Sequence, residues 1–241
     1  MIDVIPAPSP NFNTRVGPPD MIVLHYTGMV DGPSALARMR DEAAEVSAHY
    51  MVEEDGRIFG LVAEERRAWH AGKSFWRGAT DINGVSIGVE IVNPGHEFGY
   101  RPFPDRQIEA LIALLGDIRS RWSIPDARIL GHSDVAPGRK QDPGELFPWR
   151  RLAQAGHGLW AEPQPAPGDA LTRGQEGTGI FALQAGLTRL GYECAPSGAY
   201  DDWTATVVEA FQRHWRPASV DGAADGETRA RLIALLRLAA E

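Results

Sequence analysis

Residues 161–168, Ala-Glu-Pro-Gln-Pro-Ala-Pro-Gly, divide the chain. Prolines at alternate positions favour an extended, semi-rigid spacer. Upstream, apolar runs of strand type alternate with helical spacing; downstream, only helical spacing remains. The expected organisation is a domain over residues 1–160, the linker, and a helical domain over 169–241.

The upstream part opens with a proline-rich arm over residues 1–19, expected to lie extended on the domain. Residues 21–26 read as a strand. Met21 to Leu24 lack clean alternation, as in a strand covered on both faces, and His25 stands at its end, where open sheets place ligands. Pro33 to Glu45 has helical spacing. Val46–Glu53 and Arg57–Val62 are strands joined by Glu54-Asp55-Gly56, and Asp-Gly between apolar runs signals a hairpin. Glu64–Asn83 is irregular. Val85–Val92 alternates: Val85, Ile87, Val89 and Ile91 point one way, Ser86, Gly88 and Glu90 the other. Pro104–Trp122 is a helix buried through Ile108, Leu111, Ile112, Leu115 and Ile118. Arg128–Leu130 is a short strand leading into His132, and Trp149–Gln154 a closing helical turn.

Beyond the linker, helical spacing recurs at Ile180, Leu183, Leu187 and Leu190, at Val207, Val208 and Phe211, and at Leu232, Leu235 and Leu236. Gly198-Ala-Tyr-Asp-Asp-Trp-Thr204 is repeated as Gly222-Ala-Ala-Asp-Gly-Glu-Thr228, each opening a helix with Asp201 or Asp225 as cap. Three helices in about 70 residues form a small bundle, not a second catalytic core.

Chemistry concentrates in Gly131-His-Ser-Asp-Val-Ala-Pro-Gly-Arg-Lys-Gln-Asp-Pro-Gly144. His132 and Asp142, with His25, make a sufficient ligand set for a catalytic zinc that keeps one position open. Asp142 precedes Pro143, which restrains its backbone to extended conformations. Glutamate is depleted in strands and rarely buried unpaired, so Glu90 is either half of a structural ion pair or a catalytic carboxylate that moves a proton. Lys140 is the candidate for steadying a developing oxyanion. Spacing alone leaves satisfied core histidines as an alternative to a metal site, with His49 and His70 as competing ligands or groove residues. The 64–83 stretch, rich in Arg and Trp, is read as a groove for sugars and carboxylates, or else as a surface loop anchored by its tryptophans. Tyr26, His49, Arg67, His70 and Asn83 are the expected substrate contacts.

The net charge of −8 leaves no dominant basic surface for nucleic acid. Cys194 is the one cysteine, so no intramolecular disulfide forms, and it reads as a small buried residue rather than a reactive thiol. No apolar run is long enough to span a membrane. The amino terminus shows no signal peptide, so the expected location is the cytoplasm, with the cell envelope as the alternative.

Val-Leu-His25-Tyr-Thr-Gly, Ser-Ala-His49-Tyr, Ala-Trp-His70-Ala-Gly, Ser-Ile-Gly-Val-Glu90-Ile-Val-Asn and the 131–144 stretch resemble, in order, zinc-dependent N-acetylmuramoyl-L-alanine amidases of the AmpD type, over residues 1 to about 155. The resemblance implies an α/β fold with a mixed central sheet flanked by helices, shared with peptidoglycan recognition proteins. It implies one zinc ion on His25, His132 and Asp142, Glu90 as catalytic carboxylate and Lys140 as stabiliser of the tetrahedral intermediate, with His49 and His70 outside the ligand set. The implied substrate is peptidoglycan or a muropeptide, cut between N-acetylmuramic acid, or its 1,6-anhydro form, and L-alanine. Leu183-Gln184, Leu190-Gly-Tyr192, Gly198-x-x-Asp201-x-x-Thr204 and Ala210-Phe-Gln212 resemble the small helical peptidoglycan-binding domain. Two rival readings are a recognition protein of the same fold that binds muropeptide without cutting it, and a structural zinc site in a wall-binding protein.

Overall fold

A computed structural model describes residues 2–240. The proline-rich arm carries β1 (Val4–Pro6) and β2 (Phe12–Thr14). They are followed by β3 (Met21–Tyr26) and α1 (Gly32–Arg40). Asp31 caps α1 by accepting the Ser34 N–H at 2.8 Å. The expected Pro33–Glu45 helix ends early because Asp41 caps a separate 3-10 turn, Glu42–Ala44. β4 (Tyr50–Val52) and β5 (Ile58–Gly60) form the hairpin, with Gly56 at φ +88° in its turn. The 64–83 stretch is more regular than expected. It contains β6 (Arg66–Ala68), which pairs with β2, and leads into α2 (Ile82–Val85). β7 (Ser86–Ile91), α3 (Gly95–Phe98), α4 (Asp105–Arg121), β8 (Ile129–Gly131), α5 (His132–Val135) and α6 (Trp149–Gln154) complete the upstream half.

The main sheet is mixed, in the order β1-β5-β4-β7-β3-β8, with β4 and β5 antiparallel and every other pair parallel. β3 explains its own unbroken apolar run. Ile22 and Leu24 join Ile87, Val89 and Ile91 against Ile108, Leu111, Leu115 and Ile118 of α4, whereas Met21 and Val23 face the opposite layer with Trp76, Ile82, Leu130 and Val135. Met21 to Leu24 are therefore all at 0% exposure, as a strand covered on both faces requires.

The second layer is built by the tail: α7 (Thr178–Leu190), α8 (Asp202–Trp215) and α9 (Gly226–Leu238). Ile180, Leu187, Val208, Phe211 and Leu235 belong to the same apolar cluster as Met21, Val23 and Trp76. The tail thus completes a core shared with the sheet. Gly191, at φ +153°, makes this possible, since a Cβ there would lie 2.3 Å from the Trp76 ring. Nor is the proline-rich segment a free tether. The Ala166 N–H donates to the Gly226 carbonyl at 2.8 Å, and Arg231 Nη1 reaches the Ala161 carbonyl at 2.9 Å, so it is pinned along α9.

The tail repeat has a physical cause. Gln184 Oε1 accepts the Gly198 N–H at 2.8 Å while its Nε2 donates to Ala199 O and Thr204 Oγ1, both at 2.9 Å. Gln212 does the same with Gly222 N, Ala223 O and Thr228 Oγ1. Each helix thereby holds the capped start of the next, and Asp201 and Asp225 accept the Thr204 and Thr228 N–H groups as expected.

A buried carboxylate ties the hairpin side to α4. Glu64 accepts from Tyr50 OH (2.8 Å), Trp122 Nε1 (2.6 Å) and both ends of the Arg121 fork (2.8 and 3.0 Å). Burial pushes its carboxyl pKa up, but the hydrogen bonds from Arg121, Trp122 and Tyr50 outweigh that and hold it below the usual carboxylate range. A depressed folded-state pKa means stability present at neutral pH and lost as the pH falls. Glu64→Gln is expected to cost about 2 kcal/mol at pH 7, with the difference from wild type shrinking below pH ~4. Urea melts at a series of pH values check this.

Candidate metal centre

β3, β7 and β8 run parallel, so their carboxyl ends open on the same edge of the sheet. In register, His25 sits beside Glu90 and Leu24 beside Gly131. His132 follows Gly131 directly as the first residue of α5. Asp142 closes the loop after α5, and its carbonyl accepts the Ser133 N–H at 2.9 Å. The Asp142–Pro143 peptide is cis. The Nδ1 atoms of His25 and His132 lie 2.9 Å apart, each 3.0 Å from Asp142 Oδ2, and all three residues are buried. Among the described residues, this is the one cluster of three such side chains whose donor atoms converge.

The surrounding hydrogen bonds decide which nitrogens carry protons. His132 Nε2–H donates to the Ala71 carbonyl at 3.0 Å, leaving the Nδ1 lone pair facing the cluster. Ser86 Oγ donates to the Ile82 carbonyl at 2.6 Å, so it accepts from His70 Nε2–H at 3.3 Å. His70 Nδ1 is then free to accept His25 Nε2–H at 3.1 Å, and His25 Nδ1 also presents a lone pair. Burial, then His132, lower the His25 pKa to about 4, so this imidazole is neutral at pH 7. Two imidazole nitrogens and a carboxylate oxygen, buried and within 3.0 Å of one another, form a donor set that a divalent cation would satisfy. Nitrogen and oxygen donors in this number suit zinc with an open position.

Gly88 and Ser86 do leave room beside Glu90, and His70 occupies it. A Cβ at Gly88 would lie 2.4 Å from the His70 ring, so the imidazole reaches His25 only across a glycine. Such outer partners orient a ligand and raise its basicity. His70→Phe, which keeps the volume and removes the acceptor for His25 Nε2–H, is expected to weaken metal binding about 10- to 100-fold, read by competition with a chromogenic chelator.

The cluster forms the floor of a cavity of about 510 Å³ lined also by Tyr26, Arg38, His70, Glu90, His96, Arg139 and Lys140. Glu90 Oε2 is buried without a hydrogen-bond partner. Burial and then Asp142 raise its carboxyl pKa well above the usual value, against the opposing charge of Lys140. Glu90 is therefore not half of a structural ion pair. Tyr26 OH lies 3.0 Å from His96 Nδ1, and the His96 ring stacks on Tyr100. His96 was legible in principle, since Asn93-Pro-Gly-His96 leaves a central parallel strand at the same edge as His25.

Three expected substrate contacts lie elsewhere. His49 is buried beneath the sheet edge, its Nδ1 accepting the Gly88 N–H (2.9 Å) and its Nε2–H donating to the Arg66 carbonyl (3.0 Å). The Arg67 guanidinium is held by Asp81 (2.7 Å) and Asn13 (3.1 Å), away from the cavity. Asn83 Oδ1 accepts the N–H groups of His70 (3.0 Å) and Ala71 (2.8 Å), shaping the loop that presents His70. The groove reading of the 64–83 stretch fails for its tryptophans as well: Trp76 is wholly buried against Tyr192, and Trp69 donates to Asn13. From that stretch, only His70 lines the cavity.

A cluster of three side chains able to hold a metal, at the mouth of a mixed sheet with an unpartnered carboxyl and an ammonium facing it, has the parts of a metal-dependent hydrolase. Residues 15–145 match the N-acetylmuramoyl-L-alanine amidase family and residues 176–232 a peptidoglycan binding domain family. The chain belongs to the N-acetylmuramoyl-L-alanine amidase family and is an enzyme of that class. It is 40% identical over 232 residues to the N-acetylmuramoyl-L-alanine amidase AmiD of Escherichia coli (strain K12), covering 90% of this chain and 82% of the relative. To the 1,6-anhydro-N-acetylmuramyl-L-alanine amidase AmpD of Enterobacter cloacae it is 32% identical over 172 residues, covering 63% of this chain and 89% of that protein. Among solved structures, the complex of E. coli AmiD with anhydro-N-acetylmuramic acid-L-Ala-D-gamma-Glu-L-Lys aligns with a TM-score of 0.79 at 38% identity, over 94% of this chain and 92% of that one. AMPDH3 from Pseudomonas aeruginosa, also solved with an anhydromuramic pentapeptide, aligns at 0.77 and 32% identity, over 92% of this chain and 93% of that one.

Proposed function

We propose that this chain holds one zinc ion on His25, His132 and Asp142 and hydrolyses the amide between the lactyl group of N-acetylmuramic acid, or its 1,6-anhydro form, and L-alanine. The observation that carries the reading is the convergence of three buried nitrogen and oxygen donor atoms beside Glu90. The substrates bound to the two similar structures support the substrate class. Bound zinc would supply a water acidified to a pKa of about 7 and polarise the amide carbonyl.

This chain's own residues do the rest. Glu90 takes the proton released as the water oxygen bonds to the carbonyl carbon. Its pKa, raised by burial and then by Asp142, suits it to keep that proton and deliver it to the nitrogen as the C–N bond breaks. Lys140, half-buried on the cavity wall, provides positive charge for the oxygen on which negative charge collects. Tyr26 and His70 also face the cavity. Arg38 and Lys140 form no ion pair among the described residues, which leaves Arg38 as the candidate partner for a stem-peptide carboxylate in place of Arg67.

The test is digestion of purified anhydromuropeptide and of intact sacculi, with and without chelator, followed by mass analysis. Peptides beginning with L-alanine should appear, vanish on chelation and return with zinc. Metal-loaded protein that retains muropeptide and releases no peptide would establish the recognition-protein reading instead.

A further inference from the structure

Asp134 lies two residues beyond His132 in α5 and is completely buried. Its carboxylate takes three hydrogen bonds. Gly131 N–H donates to Oδ2 at 2.8 Å, Tyr192 OH to Oδ1 at 2.6 Å, and His214 Nδ1 to Oδ2 at 2.6 Å. Two of the three donors come from the tail. Tyr192 follows α7, and His214 lies in α8 with its ring stacked between Trp149 and Trp215, at centroid distances of 3.6 and 3.8 Å. Nearby, Arg77, held at φ +46°, donates its N–H to Gly191 O and its Nε to Leu190 O, both at 2.9 Å.

A buried carboxylate is tolerated only when its lone pairs are used. Without the tail, Asp134 would keep a single donor, Gly131 N–H. A four-residue helix cannot hold itself, because nucleation costs more than one turn returns. α5 also anchors the Asp142 backbone through Ser133 N–H, so displacing it would disturb two ligands at once.

We infer that Tyr192 and His214 are positioning residues for the metal centre: through Asp134, the helical tail fixes the turn that carries His132. The tail is then a part of the catalytic apparatus as well as a wall-binding module. The inference rests on reading His25, His132 and Asp142 as metal ligands, and its test separates the two.

The full chain would be compared with Tyr192→Phe/His214→Phe, which keeps the aromatic stack and removes both donors, and with His214→Asn, which keeps a donor near the Nδ1 position. Leu235→Ala, a buried apolar position of α9 that gives Asp134 no hydrogen bond, serves as a control for general loosening of the tail. Two readouts are needed: zinc release to a chelator, and amide hydrogen exchange over residues 131–136 in metal-free protein. The double variant should release zinc about tenfold faster and lose protection in that segment. His214→Asn should stay near wild type, and Leu235→Ala should leave both readouts unchanged whatever its Tm. Wild-type release and protection in the double variant, or equal loss in Leu235→Ala, would overturn the inference. Failure of every protein to bind zinc would remove the metal reading, while exchange in the metal-free protein would still decide the clamp.

Discussion

Asp142→Ala is expected to abolish hydrolysis and to weaken zinc binding by more than about 100-fold, the upper end of what loss of an outer partner costs a metal site. Asp142 Oδ2 is the anionic member of the set, shared by both imidazoles at 3.0 Å. Without it, two neutral nitrogens remain, too few to hold a zinc ion with one position open. A second readout follows from linkage. A ligand that binds only the folded state stabilises it by about 4 kcal/mol at 1,000 times its Kd. Added zinc should therefore raise the Tm of wild type and leave that of Asp142→Ala in place. Retention of one tightly held zinc by the variant would remove Asp142 from the ligand set.

Glu90→Gln is expected to cut kcat by about 10²- to 10⁴-fold, the usual contribution of a general acid–base group, while zinc stoichiometry stays at wild type. The pairing of these results separates a proton carrier from a ligand. The variant should also be no less stable than wild type. Glu90 Oε2 is buried without a partner, so ionising this carboxyl costs the fold free energy. Its folded-state pKa is raised by burial and by Asp142, so the cost is present above that pKa and disappears below the ordinary glutamate value of about 4. In metal-free protein, any stability advantage of Glu90→Gln should shrink as the pH is lowered toward 4. Full activity in Glu90→Gln would remove it as the proton carrier.

Much of the site was legible because its parts stand at strand ends. His25, Glu90 and His132 could each be placed from local pattern, and a parallel sheet brings the carboxyl ends of its strands to one edge. The 64–83 stretch misled for a different reason. Arginine and tryptophan suit substrate binding, but the same properties suit structural anchoring, and only the three-dimensional neighbours choose between them. Arg67 found Asp81, and Trp76 found Gly191 and Tyr192. His49 and His70 occupy similar local contexts, yet one is a backbone brace and the other lines the cavity behind His25. That difference depends on which strand each ring crosses.

Local chemistry settled the long strands and helices, the Asp201 and Asp225 caps, the helical repeat of the tail and the residue types able to bind a metal, because periodicity and side-chain functional groups act over a few residues; it did not show the break at Asp41 or the strand β6, which pairs with the distant β2. Folding alone decided that His70 would bridge Ser86 to His25, that Glu90 would be left without a partner, and that a tail joined by a proline-rich strip would lie against the sheet with Tyr192 and His214 on Asp134. Those outcomes depend on contacts between residues 58 and 80 positions apart and on a Gly88 or Gly191 facing the right ring. No window along the chain contains them.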